Sequence, residues 1–523
     1  MGNGAAVMTP IDLLIIGFYL VAVLVLGVVF SRYVKTSGDF LLAGKSLPFW
    51  AVGMSIVVSD IGAIDMVAGA GSAYKYGLAQ ANFDWLGSVP AMIIVAFVFV
   101  PFYWRTGVCT LPEFLGRRYG NVVRGLQAVI WLGFLLSMLA VMLYSSAIFL
   151  NEILGLNFLA GIWGTVFIVG LYTVLGGLTA VVLTDVMQTV IMFVGAGALL
   201  FMSLRKIGGV ESLVETVTSR GPEFAQHFQL LLPNNTSSPY PWSGILFGLG
   251  IVLSTAYFSS NQAVIQRVLG ARSEWHAKAS LLFAAFLKLL VPVLIILPGL
   301  LALALYPTLE DADRAVPRLV ADLLPPGVMG LVFAAFFAAL MSSVDSYLNS
   351  STTILISDVY RPVKQWMGRV VWDRECLLAG RVLTVILIIS AGLLAPVIQR
   401  FETIYSAMQT LFSLFQGPTL ALLLLGIFWK RTSTGGAIFG LVTGVLLSFS
   451  LNLVGDRLFP SDDPFLFVAF WSFAYALAAT AIFSLITPPP PPERLRGLVW
   501  GSIERDPEVQ ALLNERLKDN HSE

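Results

Sequence analysis

Residues 342–362 read SSVDSYLNSSTTILISDVYRP and directly follow the apolar run LVFAAFFAALM. Six serines, two threonines, an asparagine and two aspartates crowd a few helical turns. On a helix, Ala339, Ser342, Ser343, Ser346 and Asn349 fall on neighbouring faces, at three- and four-residue spacing. Neutral oxygens so arranged suit Na+, a small hard cation, if a facing segment supplies free carbonyls. A lone serine in an apolar helix usually bonds back to its own backbone. Adjacent serines opposite a broken helix are a different case. The second chemical outlier is Lys288, an ammonium in the middle of LLFAAFLKLLVPVLIILPGL. Charges inside a membrane mark pathways and binding sites, and Asp345 qualifies on the same ground.

These groups need an apolar scaffold, and the composition provides one. Of 523 residues, 57% are hydrophobic and 12% charged, about half the charge of a soluble protein. The mean hydropathy is +0.83. Several apolar runs reach the roughly 20 residues that cross a bilayer. The sequence predicts an all-α polytopic membrane protein with about thirteen spans. They lie near 10–30, 48–72, 84–106, 122–150, 158–180, 182–204, 242–268, 276–304, 325–360, 379–399, 402–427, 434–455 and 465–486. The first run lacks the features of a cleaved signal peptide and is read as a retained span. With the N-terminus outside and the C-terminus inside, the inside loops collect most cations, among them Arg32, Lys35, Arg118, Arg124, Arg267 and Arg272, and the outside few.

Two spans look broken. FWAVGMSIVVSDIGAIDMVAGAGSAYKYG has small residues through its middle, and GILFGLGIVLSTAYFSSNQAVIQR is interrupted at Ser254, Thr255 and residues 259–261. Unwound backbone at membrane depth survives where it lines a site. Interruptions at matching positions of two halves point to an inverted-repeat transporter, here spans two to six and seven to eleven.

Four stretches carry a family resemblance: YTVLGGLTAVVLTDVMQTVIM (172–192), LMSSVDSYLNSSTTILISDVYRP, FAAFLKLLVPVLIILPGL and LLLLGIFWKRTSTGGAIFG. Together they resemble the sodium:solute symporter family, in its sodium/glucose-cotransporter branch, over residues 10 to 486. The resemblance implies a LeuT-like core of two inverted five-helix repeats (48–204 and 242–427) within a transmembrane domain of residues 1–487. An extra helix (10–30) precedes the core, two (434–486) follow it, and residues 488–523 form a cytoplasmic tail. It further implies alternating access, Na+ as coupling ion, and a plasma-membrane location.

Carried over residue by residue, the main Na+ site falls on the carbonyls of Val58 and Ile61 with Ala339, Ser342 and Ser343. A second cation, Na+ or a proton, is expected among Ser59, Asp185, Asp345 and Ser346. The sugar-holding positions match Asp65, Asp84, Ser254, Lys288 and Gln409, with Tyr257 as an aromatic inner gate. Carboxylates and an ammonium give charge-assisted hydrogen bonds to hydroxyls, and Asp65 and Asp84 would partner Lys288. Two acids against one lysine leave a negative pocket. The expected solute is a monosaccharide or polyol; an amino sugar, another cation, an amino acid or a carboxylate is the alternative.

Other classes fit less well. Three histidines and no HExxH or paired-metal motif argue against an enzyme. Repeated filter loops of a channel are absent from the sequence. A balance of 31 basic and 31 acidic residues implies no nucleic-acid partner, and no obligatory protein partner is expected. A transport-fold solute sensor remains an alternative.

Overall fold

The computed structural model describes residues 8–31, 37–400, 404–459, 461 and 463–502. Arg32, Lys35 and the tail beyond 502 lie outside them. Among the described residues the chain is built from helices without a β-strand; two isolated bridges join Leu47 to Ala271 and Leu232 to Pro241. Nine of these helices are long and apolar enough to cross a bilayer, and twelve spans result if each of three bent pairs is one. Helix starts carry side-chain caps: Asn157 accepts from Ala160, Ser273 from His276 and Ser433 from Gly436, satisfying amides that have no partner in the first turn.

The sequence divides residues 158–204 into two spans. The backbone stays helical from Phe158 to Ile207, 50 residues, with apolar stretches Phe158–Leu171 and Leu178–Ile207. At 1.5 Å per residue this is ~75 Å of helix, over twice the bilayer core.

Both expected breaks are present. Phe49–Asp60 and Asp65–Ala81 meet at 59°, and Gly244–Ser260 and Gln262–Leu269 at 53°. The second break falls at the last of the positions the sequence offers for it. Helix continues through Ser254 to Ser260, and Asn261 leaves it, its side chain capping the next segment at Ala263 N (2.9 Å). A third bend, 44° between Phe83–Val98 and Val100–Thr106, was not anticipated. Pro101 follows it and withholds an amide from the helix ladder.

Arg118 and Arg267, expected in loops, are both buried. Arg118 donates to the carbonyls of Gly426, Trp429 and Thr432 at 3.0, 3.1 and 3.2 Å, closing the open carbonyl end of helix Ile404–Phe428.

In the connection 306–327, Asp313 is buried and accepts from Ile404 N at 3.0 Å. Burial pushes its carboxyl up to about 7 from 3.8. A folded value above the unfolded one gives stability that is whole below about 3.8 and is lost as pH rises through about 7. The detergent-solubilised protein should therefore melt about 1–2 °C lower at roughly pH 8 than at pH 6. Asp313→Asn should remove most of that difference; an unchanged pH profile in the variant contradicts the assignment.

Candidate ion and solute sites

The first break lies against the serine-rich helix Val328–Ile354. Its amides turn away from the regular ladder. Gly62 N donates to Asp65 Oδ2 (3.2 Å) and Asp65 N to Gly62 O (3.1 Å), so the carbonyls of Val58 and Ile61 lose their regular i+4 donors. Ser343 Oγ bridges the two segments, donating to Ser59 O (3.0 Å) and Ala339 O (2.9 Å), while Ser342 Oγ is 2.9 Å from Ser59 Oγ. The structure thus sets Ala339, Ser342 and Ser343 against Ser59 and Gly62, in the segment whose Val58 and Ile61 carbonyls lack their regular donors. Carbonyl and hydroxyl oxygens of this kind form a hard-cation donor set. Closeness depends on Gly62, where a Cβ would stand 2.6 Å from Ser343 Oγ. Gly62→Ala should raise the Na+ concentration for half-maximal solute binding by about tenfold, the equivalent of ~1.4 kcal/mol. Calorimetric titration with NaCl checks this; an unchanged midpoint removes Ser343 from the site.

Three of the four residues expected around a second cation, Ser59, Asp185 and Ser346, contact a cationic side chain of the protein. Arg267 reaches in from the second broken span, buried, with Nε to Ser55 Oγ (2.6 Å), Nη1 to Ala263 O (2.6 Å), and Nη2 to Ser59 Oγ (2.9 Å) and Asp185 Oδ2 (3.2 Å). Nη2 also donates to Ser346 Oγ. Ser55 Oγ donates to the same Asp185 oxygen at 2.5 Å. Asp345 is at the edge of this group, 3.3 Å from Ser346 Oγ. Sequence reasoning placed Arg267 in a loop; the signal that it is not was its place in QAVIQR, one turn after a break.

All six positions expected to hold the solute line one cavity. Asp65 and Asp84 each come from a widened helical turn, Asp65–Gly69 and Phe83–Ser88, of a kind frequent at functional sites. Lys288 is four residues before Pro292, which has no amide to give its carbonyl. The expected ion pairing is half right in its residues. Lys288 Nζ bonds Asp84 Oδ1 at 2.7 Å, but its second carboxylate within ion-pair distance is Asp60, while Asp65 accepts from the Gly62 amide. Asp60 was missed; an acid one residue before the break was the available signal. Tyr257 stands at one wall, its ring edge-on to Phe412 at 5.4 Å and its hydroxyl 3.3 Å from that of Tyr347. Gln409 donates to Tyr405 Oη (2.9 Å), and Ser254 approaches closely because Gly87 faces it; a Cβ there would be 2.5 Å from Ser254 Oγ.

The model of the sodium:solute symporter family matches residues 40–444. The sodium/glucose cotransporter of Vibrio parahaemolyticus is 33% identical over 503 residues, covering 91% of this chain and 90% of that protein. Sodium/myo-inositol cotransporter 2 of Oryctolagus cuniculus is 33% identical over 551 residues, covering 96% and 80%. Among solved structures, a Na+-coupled sialic acid symporter in a substrate-bound outward-open state superposes with a TM-score of 0.79 at 23% identity, over 92% of this chain and 99% of that one.

Proposed function

The chain belongs to the sodium:solute symporter family, and from that premise we propose that this Na+-coupled membrane symporter imports a polyhydroxylated solute, a monosaccharide or polyol, across the cell membrane. The observation that carries the solute class is Lys288, anchored between Asp60 and Asp84 in a cavity that also presents Ser254, Gln409 and the Tyr257 ring. Carboxylates and an ammonium fixed in this way offer directed hydrogen bonds to ring hydroxyls, and an aromatic face suits the apolar face of a sugar ring. The names of the glucose and myo-inositol relatives support the same class.

In this reading Na+ binds where the first broken span meets Ser342 and Ser343, next to the segment that carries Asp60 and Asp65. Ordering the break for the ion also orders those acids for the solute, which couples the two sites. Arg267 supplies the positive charge among Asp185, Ser59 and Ser346, so coupling is one Na+ per solute. A thermal-shift screen of sugars, polyols, amino acids and carboxylates, each in NaCl and in KCl, tests the proposal. Sugars or polyols should stabilise the protein in NaCl only. Stabilisation by amino acids or carboxylates alone would overturn the solute class.

A further inference from the structure

The solute cavity has an unbalanced charge. Three carboxylates line it, those of Asp60, Asp65 and Asp84, against the single ammonium of Lys288. Lys288 serves Asp60 and Asp84. Asp65 keeps one backbone amide at 3.2 Å and, among the described residues, has no cationic side chain within ion-pair distance, Lys288 acting on it from farther off. A carboxylate removed from water needs a charged or multiply hydrogen-bonded partner, or it takes up a proton. Na+ at the neighbouring break would offset one more negative charge, leaving one. A second, independent feature is Gln416. It is fully buried on the same cavity wall, and neither its Oε1 nor its Nε2 has a hydrogen-bond partner. A buried carboxamide without partners is rare, and the cavity is where its partner would come from. Tyr257 and Phe412 add aromatic faces, which attract cations.

Resting on the reading of this cavity as the solute site, we infer that the solute itself carries one positive charge: it is an amino sugar or aminocyclitol whose ammonium sits at Asp65 and one of whose hydroxyls meets Gln416. Lys288, Na+ and the solute ammonium then balance the three carboxylates. A neutral sugar leaves Asp65 without a counter-charge.

The test is calorimetric titration of the full chain, purified in NaCl, with paired probes at a pH where the amines are protonated: glucosamine against glucose, and an inosamine against myo-inositol. N-acetylglucosamine controls for size without charge. In at least one pair the amine should bind tenfold or more tighter than its neutral parent, and acetylation should abolish the gain. Asp65→Asn should bring amine and parent to the same affinity, whereas Gln416→Ala should weaken both by a similar factor. Melting in NaCl without solute checks that each variant is folded, and the wild-type pairs decide the matter without any variant. Neutral members binding as tightly as the amines would overturn the inference and leave the sugar or polyol reading standing. Binding of small amines without hydroxyls, and of no sugar or cyclitol in either form, would support the ammonium and overturn the polyhydroxylated frame. An amine preference that survives Asp65→Asn would overturn the role of Asp65.

Discussion

Lys288→Ala is expected to lose solute affinity by tenfold or more, because a charged hydrogen bond to a solute hydroxyl contributes ~1.5–3 kcal/mol. The same change strands Asp60 and Asp84, two carboxylates that share the ammonium in the cavity wall. Removing one partner of a buried ion pair costs ~3–5 kcal/mol of stability, so the variant should also melt well below wild type. The two effects separate when a triple variant, Lys288→Ala with Asp60→Asn and Asp84→Asn, is compared with the Asp60→Asn, Asp84→Asn double variant that keeps Lys288. The triple variant should regain most of the melting temperature and still bind solute more weakly than the double variant. If the two bind alike, Lys288 is a structural cation only.

Ser342→Ala with Ser343→Ala is expected to abolish Na+-dependent solute binding or to raise the Na+ requirement more than tenfold. The double change removes both hydroxyls that face the first break, one of which ties Ser59 O to Ala339 O. The structural loss is small, ~1 kcal/mol per neutral hydrogen bond, so the protein should remain folded. Melting curves in KCl, where the proposed ion has no part, provide that control. Na+ dependence equal to wild type would remove the serine pair from the ion site.

The local sequence announces the bilayer architecture because each span is a continuous apolar run, and the two breaks because small and polar residues interrupt such runs. The solute positions were legible for the same reason: Lys288, Asp84 and Asp65 are charges where none should be, and all three line one cavity. What escaped was pairing. Nothing in the sequence tells whether Lys288 turns to Asp65 or to Asp60, five residues apart, because the answer depends on how the chain turns between Ile61 and Ile64. Arg267 and Arg118 read as loop cations because each lies near the end of an apolar run. Only the tertiary fold shows one folded back among Ser55, Ser59 and Asp185 and the other capping a distant helix. The bend near Phe99 escaped because a proline near the end of a span reads equally as a terminus.

In the proposed mechanism Na+ drives transport of a polyhydroxylated solute through these two adjoining sites. This is tested most directly in proteoliposomes containing only this chain, by following a labelled solute from the thermal-shift screen under an imposed Na+ gradient and a set of clamped potentials. Accumulation above the external concentration is expected with inward Na+, none with K+, and a reversal potential that corresponds to one Na+ per solute after the solute's own charge is counted. Counterflow should persist without a gradient, which distinguishes a symporter from a sensor. Equal uptake in Na+ and K+, or solute binding with no flux under either ion, would contradict the account.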